Sequence, residues 1–253
     1  MGIELQKASM WKRISAWLLD IILLSIVAVG AGLLLSWMLG YNSCNEALDA
    51  GYAKYETQYG VTFDITAETY NAMTAEERQN YDAAYSAMIA DDEVIRVYNL
   101  VLNLTLVITT LAILLAYLIL EFAVPLLFGN GQTLGKKVFA LCLVRNDGVK
   151  VNTLQLFTRF LLGKFAVGVM IPVYSAIMIL LNVVKPLLLL LAVVILAAQV
   201  ICFVATRNNC LLHDLMAGTV VVDYGSQQIF KTTDDLIAHQ QRIAAERAAR
   251  QKY

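Results

Sequence analysis

Two carboxylates lie inside long apolar segments of this 253-residue chain, where an ionised side chain is costly to bury. Asp20 lies in the apolar stretch 14–39, and Glu121 is the one charged residue of the stretch 97–128. Helical rise places both at a similar depth, roughly 10–12 Å from the inner ends of their helices. Two close carboxylates rarely both stay ionised, so one of the pair would hold a proton. This chemistry is typical of a site that exchanges Na⁺ or K⁺ for H⁺.

Arginines near these carboxylates favour a second interpretation. Arg13 precedes Asp20 by two helical turns and therefore lies on the same helix face. Arg13 or Arg159 can pair with Asp20, which would then fix helix packing rather than bind an ion. Glu121 can likewise serve in proton binding or in a packing hydrogen bond, and the sequence leaves these alternatives open.

The composition predicts the element that must position these groups, a transmembrane helix bundle. Hydrophobic residues make up 59% of the chain and charged residues 15%, a balance that excludes a disordered chain and an ordinary cytosolic enzyme. We predict an all-α protein of the lipid bilayer with four transmembrane helices, and a tight turn at Asn182–Pro186 joining the last two. The four spans are 14–39, 97–128, 156–181 and 186–206. Since 15 of the 19 lysine and arginine residues fall on one side, both termini are predicted to be cytoplasmic.

A long acidic insert separates the first two spans, and smaller segments follow the second. Residues 41–96 predict a helical outer cap, with helices at 47–59 and at 74–90, the latter opened by a capping box. Its charge is typical of a cation-attracting or partner-docking surface, and equally of a solvated helix pair. We divide the chain into a first segment with its span (1–40), the insert (41–96), the second span (97–128), an inner loop (129–155), a helical hairpin (156–206), a strand-bearing segment (207–225) and a tail (226–253).

The inner segments predict a small cytoplasmic sheet. Residues 137–145 alternate and are rich in strand formers, and Asn146-Asp147-Gly148 is a strong turn signal before a return strand at 149–151. Residues 218–224 predict a further strand that ties this hairpin to the chain after the fourth span. The tail from 233 to 253 predicts a helix.

Other motifs carry no chemistry that we can support. The stretch Gly129–Lys137 lacks the first glycine and the hydroxyl residue of a phosphate loop, so nucleotide binding is rejected. Cys210 and His213 form at most half of a metal site. No nucleophile and base are paired, and basic patches interleaved with aromatic residues are missing. We therefore predict no enzyme activity, no cofactor, no metal and no nucleic-acid partner.

The motifs together resemble the RDD family of bacterial membrane proteins, named for one arginine and two aspartates. The resemblance rests on Arg13 to Asp20, Gly131 to Lys137, Asn146 to Gly148, Thr158-Arg159, and Leu212 to Thr219 with Asp214 as the second aspartate. It implies a location in the bacterial cell membrane and suggests transport, with some members resembling cation/proton antiporters. It also leads us to expect a cluster of Arg13, Arg159 and Asp214 that closes the inner face over Asp20.

Two function hypotheses follow. The first is a small ion antiporter with Asp20 and Glu121 as the coupling carboxylates. Four helices are few for a transport path, so this hypothesis implies a homodimer or larger homo-oligomer. The second is a scaffold or accessory subunit that acts through its outer cap or inner sheet. A cavity that reaches both carboxylates favours the first.

Overall fold

The computed structural model describes residues 5–180, 186–206 and 208–250. Within these ranges the elements in chain order are α1 (Met10–Met38), α2 (Tyr41–Tyr59), α3 (Ala67–Ala72), α4 (Ala75–Ile89), α5 (Asp92–Phe128), α6 (Leu134–Val138), β1 (Leu141–Arg145), α7 (Thr153–Ile179), α8 (Pro186–Ala205), α9 (Leu212–Ala217), β2 (Thr219–Asp223) and α10 (Thr233–Arg250).

Three helices, α1, α5 and α7, are long and apolar enough to cross a membrane. They leave large apolar side chains uncovered: Leu33 is 69% exposed and Trp37 is 77% exposed. A protein surrounded by water rarely tolerates such continuous apolar surface, so the chain is a membrane protein. The apolar helix α8 is shorter than these three, and the predicted turn at Asn182–Pro186 lies, apart from its proline, outside the described residues.

The helices α5 and α7 each contain a π-helical segment. The segment in α5 covers Leu118–Ala123, and the one in α7 covers Arg159–Met170. Such segments replace the usual four-residue hydrogen bond with a five-residue one and are frequent at functional sites. Here they carry Glu121, Arg159 and Lys164, so the irregular turns coincide with charged residues.

The chain divides into two compact units, each with its own core. Unit 1 comprises Met1–Ala28 and Leu114–Tyr253, and unit 2 comprises Val29–Ile113. These boundaries cut through α1 and α5.

Unit 2 contains α2, α3 and α4. The αL conformation of Gly60 ends α2, and a capping box from Thr74 to Glu77 opens α4, as the sequence predicts. The core includes Leu48, Met88 and Val101, while the short helix α3 was not predicted.

Unit 1 contains a two-stranded antiparallel sheet, in which Leu143 of β1 lies opposite Val221 of β2. Alternate residues point to opposite faces, so Leu143 packs in a core with Ala16 of α1 while Val144 packs in another with Cys210. Both faces of the two strands are therefore covered by apolar residues.

The predicted strand 137–145 is wrong in its first half. Thr133 caps the short helix α6, since its hydroxyl accepts from the Lys136 N–H, and this helix takes up Lys137. The turn at Asn146–Gly148 forms, with a φ of 83° at Gly148, but the return segment makes only isolated bridges. The partner of β1 is therefore the distant strand β2 rather than its neighbour in sequence.

Candidate functional site: a charged cavity

A buried carboxylate from α9 gathers two arginines from different helices. Asp214 is 1% exposed, and its Oδ1 lies 2.6 Å from Nη1 of Arg159 in the π-helical segment of α7. Its Oδ2 lies 3.8 Å from Nη2 of Arg13 in α1 and also accepts the Leu211 N–H at 3.1 Å. The structure thus brings together Arg13, Arg159 and Asp214, the cluster expected from the sequence.

The charges of this cluster compensate one another. Burial alone would raise the pKa of the Asp214 carboxyl, but Arg159 and the other nearby partners hold that pKa below its ordinary value. Although Oδ1 is close to Arg159, it accepts no well-directed hydrogen bond from the described residues, so the contact is mainly coulombic. Arg13 also donates to the Asn208 carbonyl at 3.2 Å and stacks over the Phe203 ring. The cluster therefore links α1, α7 and the segment that follows α8.

His213 extends the cluster as a neutral group. Its Nε2 lies 3.6 Å from Asp214 Oδ1, yet burial lowers the pKa of His213 to about 3. The imidazole is therefore uncharged at neutral pH. Gly163 of α7 packs directly on it, since a Cβ at that position would overlap the His213 side chain. Among the residues that the structure describes, no three His, Cys, Asp or Glu side chains group to hold a metal.

Asp20 has different partners from those considered in the sequence. Its Oδ2 accepts from the Thr133 hydroxyl at 2.5 Å, and its Oδ1 accepts from the Gly135 N–H at 2.8 Å. The interpretation that Arg13 or Arg159 clamps Asp20 is wrong, because both arginines are drawn to the more deeply buried Asp214. Unpaired N–H groups in the first turn of α6 attract the Asp20 carboxylate instead.

The packing around Asp20 is close. A Cβ on Gly135 would overlap the Ala16 carbonyl oxygen of α1 and would lie 2.8 Å from Asp20 Oδ1. Only a glycine lets the backbone of α6 approach α1 near enough for the Gly135 N–H to reach the carboxylate.

Glu121 is paired with a lysine that the sequence analysis counted among the cytoplasmic charges. The Nζ of Lys164 lies 2.5 Å from Glu121 Oε1, and the two side chains are 17% and 8% exposed. Lys164 belongs to the π-helical segment of α7, one of the three helices able to cross a membrane. Glu121 and Asp20 thus each have their own partner and do not share a hydrogen bond with each other among the described contacts.

Lys136 of α6 is buried but has no counterion. It is 9% exposed and forms no ion pair with any residue that the structure describes. Burial, together with the positive charge of Lys164, lowers the pKa of Lys136 to about 8. The ammonium group is therefore still charged at pH 7. Glu121 and Asp20 favour that charge, but no described carboxylate lies within ion-pair distance of it.

The charged side chains described above, together with His213, line one cavity of about 520 Å³ in unit 1, which we call the charged cavity. Its charged lining residues are Arg13, Asp20, Glu121, Lys136, Arg159, Lys164 and Asp214. Apolar residues of α1 and α8, among them Ile21 and Val200, form another part of its wall. The volume falls within the range of small-molecule pockets, about 300–1,000 Å³. The cavity can thus hold an ion together with several waters, or a larger solute.

Sequence reasoning found five of these charged residues and missed Lys136 and Lys164. Lys164 lies with Arg159 in the apolar stretch 156–181, a signal like that of Glu121, but it was counted toward the inner positive charge. Lys136 lies in a pair of lysines that is typical of a solvent-exposed loop. Only the capping of α6 by Thr133 and Asp20 turns Lys136 inward and Lys137 outward.

Comparison with known proteins gives one match. A family model described as the RDD family matches residues 7–218 of the chain, a range that includes every charged residue of the cavity. No curated protein and no solved structure matches the chain.

Proposed function

This chain belongs to the RDD family, and on that premise we propose that it is a multi-pass cell-membrane transporter that exchanges a monovalent cation for a proton at the charged cavity. In this proposal α8 is the fourth span, both termini are cytoplasmic, and the protein works as a homodimer or larger homo-oligomer. One observation carries the proposal. The carboxylates of two membrane helices, Asp20 and Glu121, line a common cavity of about 520 Å³.

The pairing of Glu121 with Lys164 supports an exchange mechanism. The Lys164 ammonium already occupies the position that a cation would take beside the Glu121 carboxylate. If Lys164 releases one proton, a Na⁺ or K⁺ ion can replace its charge at Glu121, and the charge of the site does not change. One proton leaves as one cation enters. Loss of either member of the pair therefore uncouples the two movements.

Asp20 has a positioning role in this mechanism. Its carboxylate holds the first turn of α6 through Thr133 and Gly135, and α6 carries Lys136 into the same cavity. Removing the Asp20 charge should loosen α6 and weaken exchange without abolishing it.

The test is cation-driven proton movement in proteoliposomes that contain a pH-sensitive dye. Pulses of Na⁺, K⁺ or Li⁺ should move protons with the wild-type chain and not with Glu121→Gln. Lys164→Met should still bind the cation but release no proton. The matched control is Glu93→Gln, which removes a carboxylate that is 79% exposed and pairs with Arg96, and should exchange like wild type. Absence of exchange by well-folded wild type, or full exchange by Glu121→Gln, would overturn the proposal.

A second candidate function, a scaffold or accessory subunit, is favoured by the full pairing of the carboxylates that line the cavity. Asp20, Glu121 and Asp214 all have partners within the chain, which is also how a purely structural core is built. Under this alternative no cation moves protons, and Glu121→Gln lowers thermal stability without any change in flux.

A further inference from the structure

The exchange mechanism gives no role to the buried ammonium group of Lys136, which forms no ion pair with a described residue. A buried charge is costly unless a partner compensates it, and removal from water penalises the charged form. Nevertheless Lys136 is charged at pH 7. It lies near the positive charges of Lys164 and Arg159, and the carboxylates of Glu121 and Asp20 offset them only in part. A further anion beside Lys136 would compensate its buried charge and would also offset the repulsion from Lys164 and Arg159.

The carboxylates of the cavity are already engaged by other groups. Asp214 faces Arg159 and Arg13, Glu121 faces Lys164, and Asp20 accepts from the first turn of α6. The charged residues that line the cavity are four cations and three carboxylates, and His213 is neutral. The described lining therefore carries one excess positive charge, and Lys136 is the one of its four cations that forms no ion pair with a described residue.

The apolar part of the wall indicates what kind of anion fits. Trp17, Ile21 and Leu24 of α1 and Leu196, Val200 and Phe203 of α8 line the same cavity. Several of these side chains are open rather than packed: Ile21 is 38% exposed and Val200 is 63% exposed. A small inorganic anion would leave this apolar wall unused, whereas an acyl chain would cover it.

We propose that the charged cavity binds an anionic phospholipid, with the phosphate of its headgroup beside Lys136 and an acyl chain along Ile21, Val200 and Phe203. Lysine is a common point-charge partner of phosphate. Basic pockets between membrane helices, on the cytoplasmic side, are suited to such headgroups. This inference goes beyond the proposed function, because lipid binding requires neither an ion gradient nor proton exchange.

Trp17 lines the cavity, so its fluorescence can report lipid binding there. The chain has three tryptophans, and Trp11→Phe with Trp37→Phe leaves Trp17 as the only one. Brominated phosphatidylglycerol, titrated into the full-length detergent-solubilised protein, should quench Trp17 fluorescence at concentrations at which brominated phosphatidylcholine does not. Equal quenching by both lipids would mean that Trp17 reports only the surrounding detergent and lipid, and would overturn the proposal.

Adjacent lysines provide a matched pair of variants. Lys136→Met should weaken phosphatidylglycerol binding at least tenfold and leave the response to phosphatidylcholine unchanged. Lys137→Met removes an exposed lysine whose Nζ lies 3.7 Å from the centre of the Phe128 ring and which does not line the cavity, so it should bind like the parent protein. Equal weakening by both substitutions would show nonspecific attraction and count against the site.

One further arm separates the alternatives. Inorganic phosphate at the lipid concentration should not relieve quenching, and if it does, the ligand is a soluble phosphate rather than a lipid. Quenching is measured in detergent without an ion gradient, so failure of the transport proposal and failure of this one are distinguishable.

A pH titration of the parent protein keeps the test valid even if Lys136→Met does not fold. The groups that face Lys136 are Asp20 from α1, Glu121 from α5, and Arg159 and Lys164 from α7. The lipid phosphate stays ionised from pH 7 to 9.5, whereas Lys136 loses its proton above about pH 8. Binding should therefore fall severalfold across that range, and pH-independent binding would contradict a role for Lys136.

Discussion

One ion pair from each unit shows two contrasting ways in which this chain places charge. In unit 1 the Arg159–Asp214 pair is buried, with side chains 6% and 1% exposed. In unit 2 the Lys54–Asp91 pair is open, with side chains 60% and 21% exposed. An exposed pair is screened by water and contributes little, whereas breaking a buried pair leaves an uncompensated charge. The geometry of an ion pair therefore says little about its importance until its burial is known.

The aromatic residues follow the same contrast. In unit 2, Phe63 packs edge-on against Tyr52, Tyr81 and Tyr85. Tyrosine covers apolar surface while its hydroxyl reaches water, which suits a small core close to solvent. In unit 1 the ring cluster consists mainly of phenylalanines, with Phe160 stacked on Phe122 and on Phe165, while Tyr117 lies edge-on to Phe165. Each unit uses the aromatic residue that its surroundings can satisfy.

The sharpest test of the comparison is one substitution made in each unit. Asp214→Asn keeps a side-chain oxygen for the Leu211 N–H but leaves Arg159 and Arg13 without their counterion. We expect a loss of about 3–5 kcal/mol in the free energy of unfolding. Asp91→Asn removes the exposed counterion of Lys54 and should change stability far less. Unfolding of the purified variants in detergent measures both, and similar losses would break the contrast between the units.

A second pair of variants compares glycines. Gly163→Ala in unit 1 would bring a Cβ to 2.7 Å from the His213 Cα, and we expect a destabilisation of about 1–3 kcal/mol. A Cβ on Gly30 in unit 2 meets nothing within 4 Å, so Gly30→Ala should be neutral or slightly stabilising. Thermal unfolding decides between these outcomes. A harmless Gly163→Ala would mean that α7 and α9 do not pack as closely as described.

The smallest expected effect is a dependence of stability on pH that arises in unit 1. The pKa of His213 is about 3 in the folded chain, below its ordinary value near 6.5, so the unfolded chain binds more protons between these values. Stability should therefore fall as the pH falls through this window, by roughly 1 kcal/mol between pH 6.5 and 5.5. Residues 29–113 contain no histidine, and the pKa of Asp91 is about 2, so unit 2 should not share this response.

His213→Phe provides the control for that measurement, because its ring cannot take up a proton. Unfolding of wild type and variant should be compared at both pH values. If the two proteins respond equally, another group is responsible and His213 is not buried in its neutral form.

Local signals in the sequence predicted much of the helical structure. Apolar length predicted α1, α5 and α7, and Thr74 and Gly60 marked helix ends at which side-chain or backbone capping is present. These features depend on residues a few positions apart, which a sequence displays directly.

The candidate site was harder to predict because its contacts join distant parts of the chain. Arg13, Arg159 and Asp214 were expected together only because of a family resemblance. The pairing of Glu121 with Lys164 depends on the packing of α5 against α7, and the inward side of Lys136 depends on how α6 is capped. Apolar periodicity carries no information about either arrangement.

The place of Asp214 in the chain has a consequence for how the protein is made. Arg13 and Arg159 are synthesised well before Asp214, the carboxylate that neutralises them. At about 5–20 residues per second, roughly 10–40 s separate the synthesis of Arg13 from that of Asp214. During that interval the first and third long helices carry charges whose buried partner does not yet exist. The strand β2, which completes the two-stranded sheet, also follows Asp214. A nascent chain interrupted before α9 would thus have inserted its helices but could not complete their charge pairing.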